Sequence, residues 1–224
     1  MKLALTGLLA ATLLAAASLA LAADTHTAVV QPAAKVAKTD ADKGKPAPSA
    51  AENDTLVMLE KAVKRDSTKF DNLYKLGLAY IDRDRPADAV KVLAKASAIR
   101  PNDVHAMVNL GAAYDASGLT GAAQLTYRKA LKMSPGDSIA TCRLASSLYA
   151  QGSQAEAIDL LREVIKEKPR AHCAYFTMGV AFADAGIYRE AIKMWQKVIE
   201  LAPESSEAAS AKESIEVLKK FVGM

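Results

Sequence analysis

One register governs this sequence: between Phe70 and Ser205 the same residue types return every 34 residues, in four consecutive units. The stretch Val104–Asp137 serves as the type unit. Its Leu110 and Gly111 align with Leu76 and Gly77, with Leu144 and Ala145, and with Met178 and Gly179. Tyr114 aligns with Tyr80, Leu148 and Phe182, Ala123 with Ala89, Ala157 and Ala191, and Tyr127 with Leu93, Leu161 and Trp195. Pro101, Pro135, Pro169 and Pro203 close the units. Within each unit the apolar residues keep helical spacing and are interrupted midway by Gly118, Gly152 or Gly186, which predicts two amphipathic helices and a turn. The first unit uses the run Asp82 to Arg85 instead, followed by Pro86, a residue suited to the first turn of a helix. Each helix has about 13–15 residues and is roughly 20 Å long. Helices this short are marginal alone in water, so packing must hold them. Gly77, Gly111, Ala145 and Gly179 are expected to let the two helices of a unit approach, with Ala89, Ala123, Ala157 and Ala191 opposite. Tyr80, Tyr114, Phe182, Tyr127 and Trp195 then fill the space beside them.

This helix-turn-helix period, with its apolar, Gly/Ala, aromatic and Pro positions, resembles the tetratricopeptide repeat over about 60% of the chain. The resemblance implies an all-α solenoid, a right-handed superhelix of complete repeats at 70–103, 104–137, 138–171 and 172–205. Residues 53–69 read as a leading half-repeat, because Leu59 and Ala62 fall one period before Leu93 and Ala96. Asn53 or Asp54 is expected to cap that helix. Residues 206–224 read as a C-terminal capping helix started by Ser205 or Ser206. Its apolar face is Ala208, Ala211, Ile215 and Leu218, and its polar face carries Lys212, Glu213, Glu216, Lys219 and Lys220. The third unit departs most from the pattern, at Thr141, Ala145 and Leu148, and is expected to be the softest.

Ahead of the repeats, Met1 and Lys2 lead into an apolar, Ala/Leu-rich run, and Ala20-Leu21-Ala22 offers small residues at the spacing of a processing site. Residues 1–23 therefore read as a cleaved signal peptide. The alternative is an uncleaved anchor, since about 20 apolar residues can span a bilayer. The expected location is periplasmic or secreted; with an anchor, the repeats sit outside the cytoplasm on the inner membrane, and only then is there membrane contact. Residues 24–52 are rich in Ala, Lys, Pro, Thr and Asp and lack any aromatic, which predicts a disordered linker. The formal net charge is +4. Lys91, Lys95, Arg128, Lys129 and Arg162 are spread over outer helix faces rather than gathered on one, which argues against nucleic acid as a partner.

The sequence offers no catalytic constellation. His26 lies in the linker, and His105 and His172 start first helices without a nucleophile or carboxylate at a defensible spacing. The glycines are isolated and periodic, not a phosphate loop. His172 and Cys173 are adjacent on a helix and point about 100° apart, poor geometry for a shared metal. No CxxCH haem motif occurs. No catalytic residue, metal or cofactor is expected, and the chain is not expected to be an enzyme.

In tetratricopeptide repeats the first helices line a concave groove that holds a ligand segment. Counting i, i+3, i+7 and i+10 along them gives Asp71, Tyr74, Leu78 and Ile81, then His105, Val108, Ala112 and Asp115. The third and fourth units add Ile139, Cys142, Ser146 and Tyr149, then Cys173, Phe176, Val180 and Ala183. The partner groove is accordingly expected at Tyr74, Leu78, Ile81, His105, Val108, Asn109, Ile139, Arg143, Tyr149, Phe176 and Val180. About half of the apolar members should pack between units, and the rest should form an exposed strip. Asn109 and Arg143 match the set with which some members hold a peptide's terminal carboxylate, but Tyr74, Leu78 and Ile139 stand where its other polar residues belong. Cys142 and Cys173 fall on adjacent first helices, so a disulfide is expected in an oxidising compartment, with two half-buried thiols as the alternative. The functional expectation is a protein- or peptide-binding scaffold or assembly factor of the cell envelope. The alternatives are a self-associating structural protein and a membrane-anchored accessory subunit of an envelope enzyme or secretion complex.

Overall fold

The computed structural model describes residues 50–223, all within one compact unit, Pro32–Met224. The segment read as a signal or anchor, and the linker up to residue 49, lie outside the described residues. Ten helices follow one another, with no strand among the described residues. They are α1 (Ala50–Arg65), α2 (Phe70–Asp82), α3 (Pro86–Ile99), α4 (Val104–Ala116), α5 (Thr120–Met133), α6 (Ser138–Ala150), α7 (Gln154–Glu167), α8 (His172–Asp184), α9 (Tyr188–Leu201) and α10 (Ser206–Val222). Helices α2 to α9 form the four helix pairs, α1 the leading half-repeat and α10 the cap.

One expectation at the edges needs correction, and one choice between two candidates is settled. Helix α1 begins at Ala50, so the last residues assigned to the linker are helical and Asn53 and Asp54 lie inside the first turns rather than at the cap. At the other end Ser205, not Ser206, caps α10, its Oγ accepting from the Ala208 amide at 3.1 Å. Asp103 and Asp137 do the same for α4 and α6, accepting from Ala106 and Ala140 at 2.8 Å. These caps satisfy amides that the helix itself leaves unpaired.

The small residues at 77, 111 and 179 lie against large side chains of the partner helix, as expected for Tyr127 and Trp195, with Leu93 in the same role in the first unit. A Cβ added at Gly77, Gly111 or Gly179 would run into Leu93, Tyr127 or Trp195, the large residue one helix later. Ala89, Ala123, Ala157 and Ala191 are fully buried, but the glycine makes room for the large side chain rather than for them. The reason is packing density: a large side chain packed close to the glycine of the partner helix leaves no volume for a methyl group. In the third unit Ala145 replaces glycine, with Leu161, also fully buried, at the ring position. That unit stands at the centre of the largest apolar cluster, which runs from Met107 through Leu144, Leu148 and Leu161 to Met178.

Turn chemistry repeats too. Gly118, Gly152 and Gly186 have φ of 76°, 93° and 75°, and Asp84, at the same register in the first unit, adopts φ 54°. Glycine populates this region at no steric cost, whereas Asp tolerates it at some cost.

The terminal helices cover the apolar flanks. Leu56 of α1 is buried, with Leu59 and Val63 partly so, against Leu76, Tyr80 and Phe70. The Tyr80 hydroxyl donates to Glu60 at 2.9 Å, and Arg85 stands over the Tyr80 ring at 4.4 Å, fixing α1 to the first pair. Ala208, Ala211 and Ile215 of α10 pack on Trp195 and Val198.

Candidate functional site: the inner face

Helices α2, α4, α6 and α8 touch in succession, whereas the second helices α3, α5, α7 and α9 make no comparable contact with one another. First helices therefore crowd together on the inside of the curve, and their shared face is the concave one. Hydrogen bonds and one covalent bond cross between them. Asn109 Nδ2 donates to the Tyr74 hydroxyl at 2.8 Å. Ser147 Oγ donates to Asp115 Oδ1 at 2.9 Å, and the Tyr127 hydroxyl donates to Oδ2 of the same carboxylate at 3.0 Å. Burial, aided by the Asp115 charge, pushes the Tyr127 hydroxyl far above the ordinary tyrosine range, against the smaller opposing effect of Arg143. Thr177 Oγ1 donates to the Cys173 carbonyl at 3.1 Å and lies 3.3 Å from Ser146 Oγ, which leaves the Ser146 hydroxyl as donor to it. The Tyr149 hydroxyl donates to the Ala181 carbonyl at 3.4 Å. Cys142 and Cys173 are joined in a disulfide with a Cα–Cα separation of 6.0 Å, inside the range such a bond requires.

These rungs change what the inner face offers. Val108 is only 6% exposed and belongs to the core with Met107 and Tyr127, so it is withdrawn from the groove. One N–H of the Asn109 amide is already engaged by the Tyr74 hydroxyl. Leu78, Ile81, Tyr149, Phe176 and Val180 are half-buried. His105 and Arg143 are exposed. Ile139 alone among the expected groove residues belongs to the large exposed apolar side chains of the described residues, at 53%. The continuous apolar strip expected from helical spacing is thus largely consumed in holding one unit to the next.

An open cavity of about 660 Å³ lies between the N-terminal ends of α6, α8 and α10. Ile139, Arg143, Phe176 and the Cys142–Cys173 bridge line it, together with residues that helical spacing missed, among them the titratable Arg170, His172 and Glu207. Arg170 sits in the turn ahead of α8, off any helical face, and Glu207 belongs to the cap. Their signal is the period itself, which sets the pre-helix turn of one unit beside the first helix of the previous one. No group of three or more His, Cys, Asp or Glu side chains able to hold a metal ion occurs among the described residues. No described helix is long and apolar enough to cross a membrane.

Comparison with known proteins places this architecture. Two family models described as tetratricopeptide repeat match, one over residues 74–138 and 112–172 and the other over 174–205. A search of curated protein sequences gave no match. Among solved structures, a crystal structure of MamA is 24% identical, covers 75% of this chain and 95% of its own, and superposes with a TM-score of 0.56. YrrB, described as a TPR protein with an unusual peptide-binding site, is 20% identical, covers 80% of this chain and 89% of its own, with a TM-score of 0.50. The Cut9–Hcn1 assembly of the APC/C is 15% identical with a TM-score of 0.64, and this chain covers 34% of that chain. At these identities the likenesses speak for the fold. Tetratricopeptide repeats are generally non-enzymatic modules that bind protein or peptide partners. With matched segments over more than half of its length, the chain belongs to the tetratricopeptide repeat family.

Proposed function

We propose that this chain is a non-enzymatic scaffold that holds a segment of a protein partner on the inner face of its repeats, in the cavity between α6, α8 and α10. The cavity carries this reading. It falls in the size range of sites that enclose ligand groups, and it keeps Ile139 and Arg143 exposed beside the rungs that join α6 to α8. YrrB, with its peptide-binding site, supports the same use of the fold. The partner belongs to the cell envelope in this reading, because residues 1–23 have the composition of an export segment. The N-terminal mass of the exported protein distinguishes removal of that segment from its retention as an anchor.

A photo-reactive residue at position 139 should cross-link the partner in envelope preparations, whereas one at Leu125, exposed on a second helix, should not. Labelling from Leu125 alone, or equally from both, overturns the inner-face assignment.

A second reading, self-association, is favoured by the two ends. Val57 and Met58 on α1 and Val217 and Phe221 on α10 are exposed apolar side chains that could stack end to end. Light scattering over a concentration series tests it, and a strictly monomeric profile removes it.

A further inference from the structure

We infer that the occupant of this cavity is an acidic peptide segment, held through its side-chain carboxylates with one bulky apolar side chain set beside them; this rests on the scaffold reading and names the chemistry of the partner. Two guanidinium groups, Arg143 on α6 and Arg170 in the turn before α8, border the cavity, and both residues are exposed. Among the described residues one carboxylate lines it, Glu207, which accepts from Ser206 Oγ at 3.1 Å and offsets one of the two guanidinium charges. Four arginines elsewhere on the solenoid are paired. Arg85 meets Asp88 at 2.7 Å, while Arg100 meets Asp71, Arg128 meets Glu156 and Arg162 meets Asp159, each at 3.5 Å. Arg170 forms no ion pair among the described residues. The cavity is therefore electropositive on balance, and a planar guanidinium fork fits a carboxylate with two parallel hydrogen bonds.

The apolar half of the site lies in the same walls. Ile139 is left open beside half-buried Phe176, and covering them would remove apolar surface from water. A basic segment would face both guanidiniums, and a neutral apolar one would gain only Ile139 and Phe176. The Cys142–Cys173 bridge in the lining holds α6 and α8 at a fixed spacing, so the walls need little ordering when a segment enters.

The test uses the full oxidised chain and a fluorescein-labelled, C-terminally amidated peptide of alternating glutamate and leucine, read by fluorescence polarisation. Its glutamine counterpart serves as the neutral probe. The acidic peptide should bind about tenfold or more tightly than the neutral one. Its affinity should fall as salt rises from about 0.05 to 0.3 M. The double variant Arg143→Gln, Arg170→Gln should weaken it by about tenfold or more, and Ile139→Ser by several-fold. Lys129→Gln, at an exposed outer position, should leave it unchanged. Equal affinity for the two peptides, no binding of the acidic one, or binding that survives the double variant each overturns the acidic-segment reading. Partner cross-linking from position 139 that persists in the double variant would leave the scaffold reading standing while this one fails. Loss of all inner-face cross-linking in the unsubstituted chain would remove both.

Discussion

Gly111→Ala should destabilise the protein although alanine is the better helix former. A Cβ on Gly111 would stand 2.7 and 2.9 Å from Tyr127 Cδ1 and Cζ, with Cε1 nearer still. Carbon atoms prefer about 3.5–4.0 Å, so the ring must retreat by roughly 0.7–1 Å. It has nowhere to go. Tyr127 is fully buried, and its hydroxyl is held by Asp115 at 3.0 Å. Overpacking of this kind costs about 1–3 kcal/mol, while replacing glycine in a helix interior returns about 0.5–1 kcal/mol. The net loss is about 1–2 kcal/mol, a fall of roughly 0.5–1 M in the urea midpoint followed by circular dichroism. Gly121→Ala is the internal control. Nothing lies within 4 Å of its added Cβ, so only the propensity remains and the variant should gain a few tenths of a kcal/mol. Adding Tyr127→Leu to Gly111→Ala recreates the Ala145 and Leu161 pairing of the third unit and should recover part of the loss. If Gly111→Ala proves as stable as the parent, the close approach of ring and backbone is not what fixes the helix pair.

Other outcomes follow from the same structure. Cys142→Ser with Cys173→Ser opens a bridge of sequence separation 31 and should cost about 3–4 kcal/mol in the chain-entropy model; thiol titration of the unfolded, unreduced parent should find none. Asp84→Gly should raise the unfolding free energy, followed by urea denaturation, by about 0.5–1 kcal/mol, because Asp84 holds φ 54° where the other units place glycine, whereas Gly152→Ala should lower it by about 1 kcal/mol. Burial raises the folded-state ionisation of the Tyr127 hydroxyl above the ordinary value of 10.0, so the fold favours the un-ionised form. That contribution is complete below pH 10.0 and is lost as pH climbs toward the raised value. Stability should therefore fall above pH 10 by up to about 1.4 kcal/mol per pH unit, and Tyr127→Phe, weaker at neutral pH, should show a shallower alkaline decline in pH-dependent urea unfolding.

The sequence by itself determined the helices, their order and their register. A 34-residue period with glycine or alanine at 77, 111, 145 and 179 and a large apolar residue at 93, 127, 161 and 195 admits few arrangements other than stacked helix pairs. Helical spacing groups residues that share one side of each first helix, because that depends only on the rotation of about 100° per residue within one helix. It could not say which inward residues stay open. That depends on the offset between neighbouring first helices, which sets Tyr74 against Asn109, Asp115 against Ser147 and Cys142 against Cys173. Sequence separations of 35, 32 and 31 link those pairs, a spread about the period that comes from the stacking of units and is written in no single helix. The same stacking buried Val108, left Ile139 open, and brought Arg170 from a turn and Glu207 from the cap to one cavity. Local periodicity decides which way a side chain points; only the packing of one unit on the next decides whether another side chain is already there.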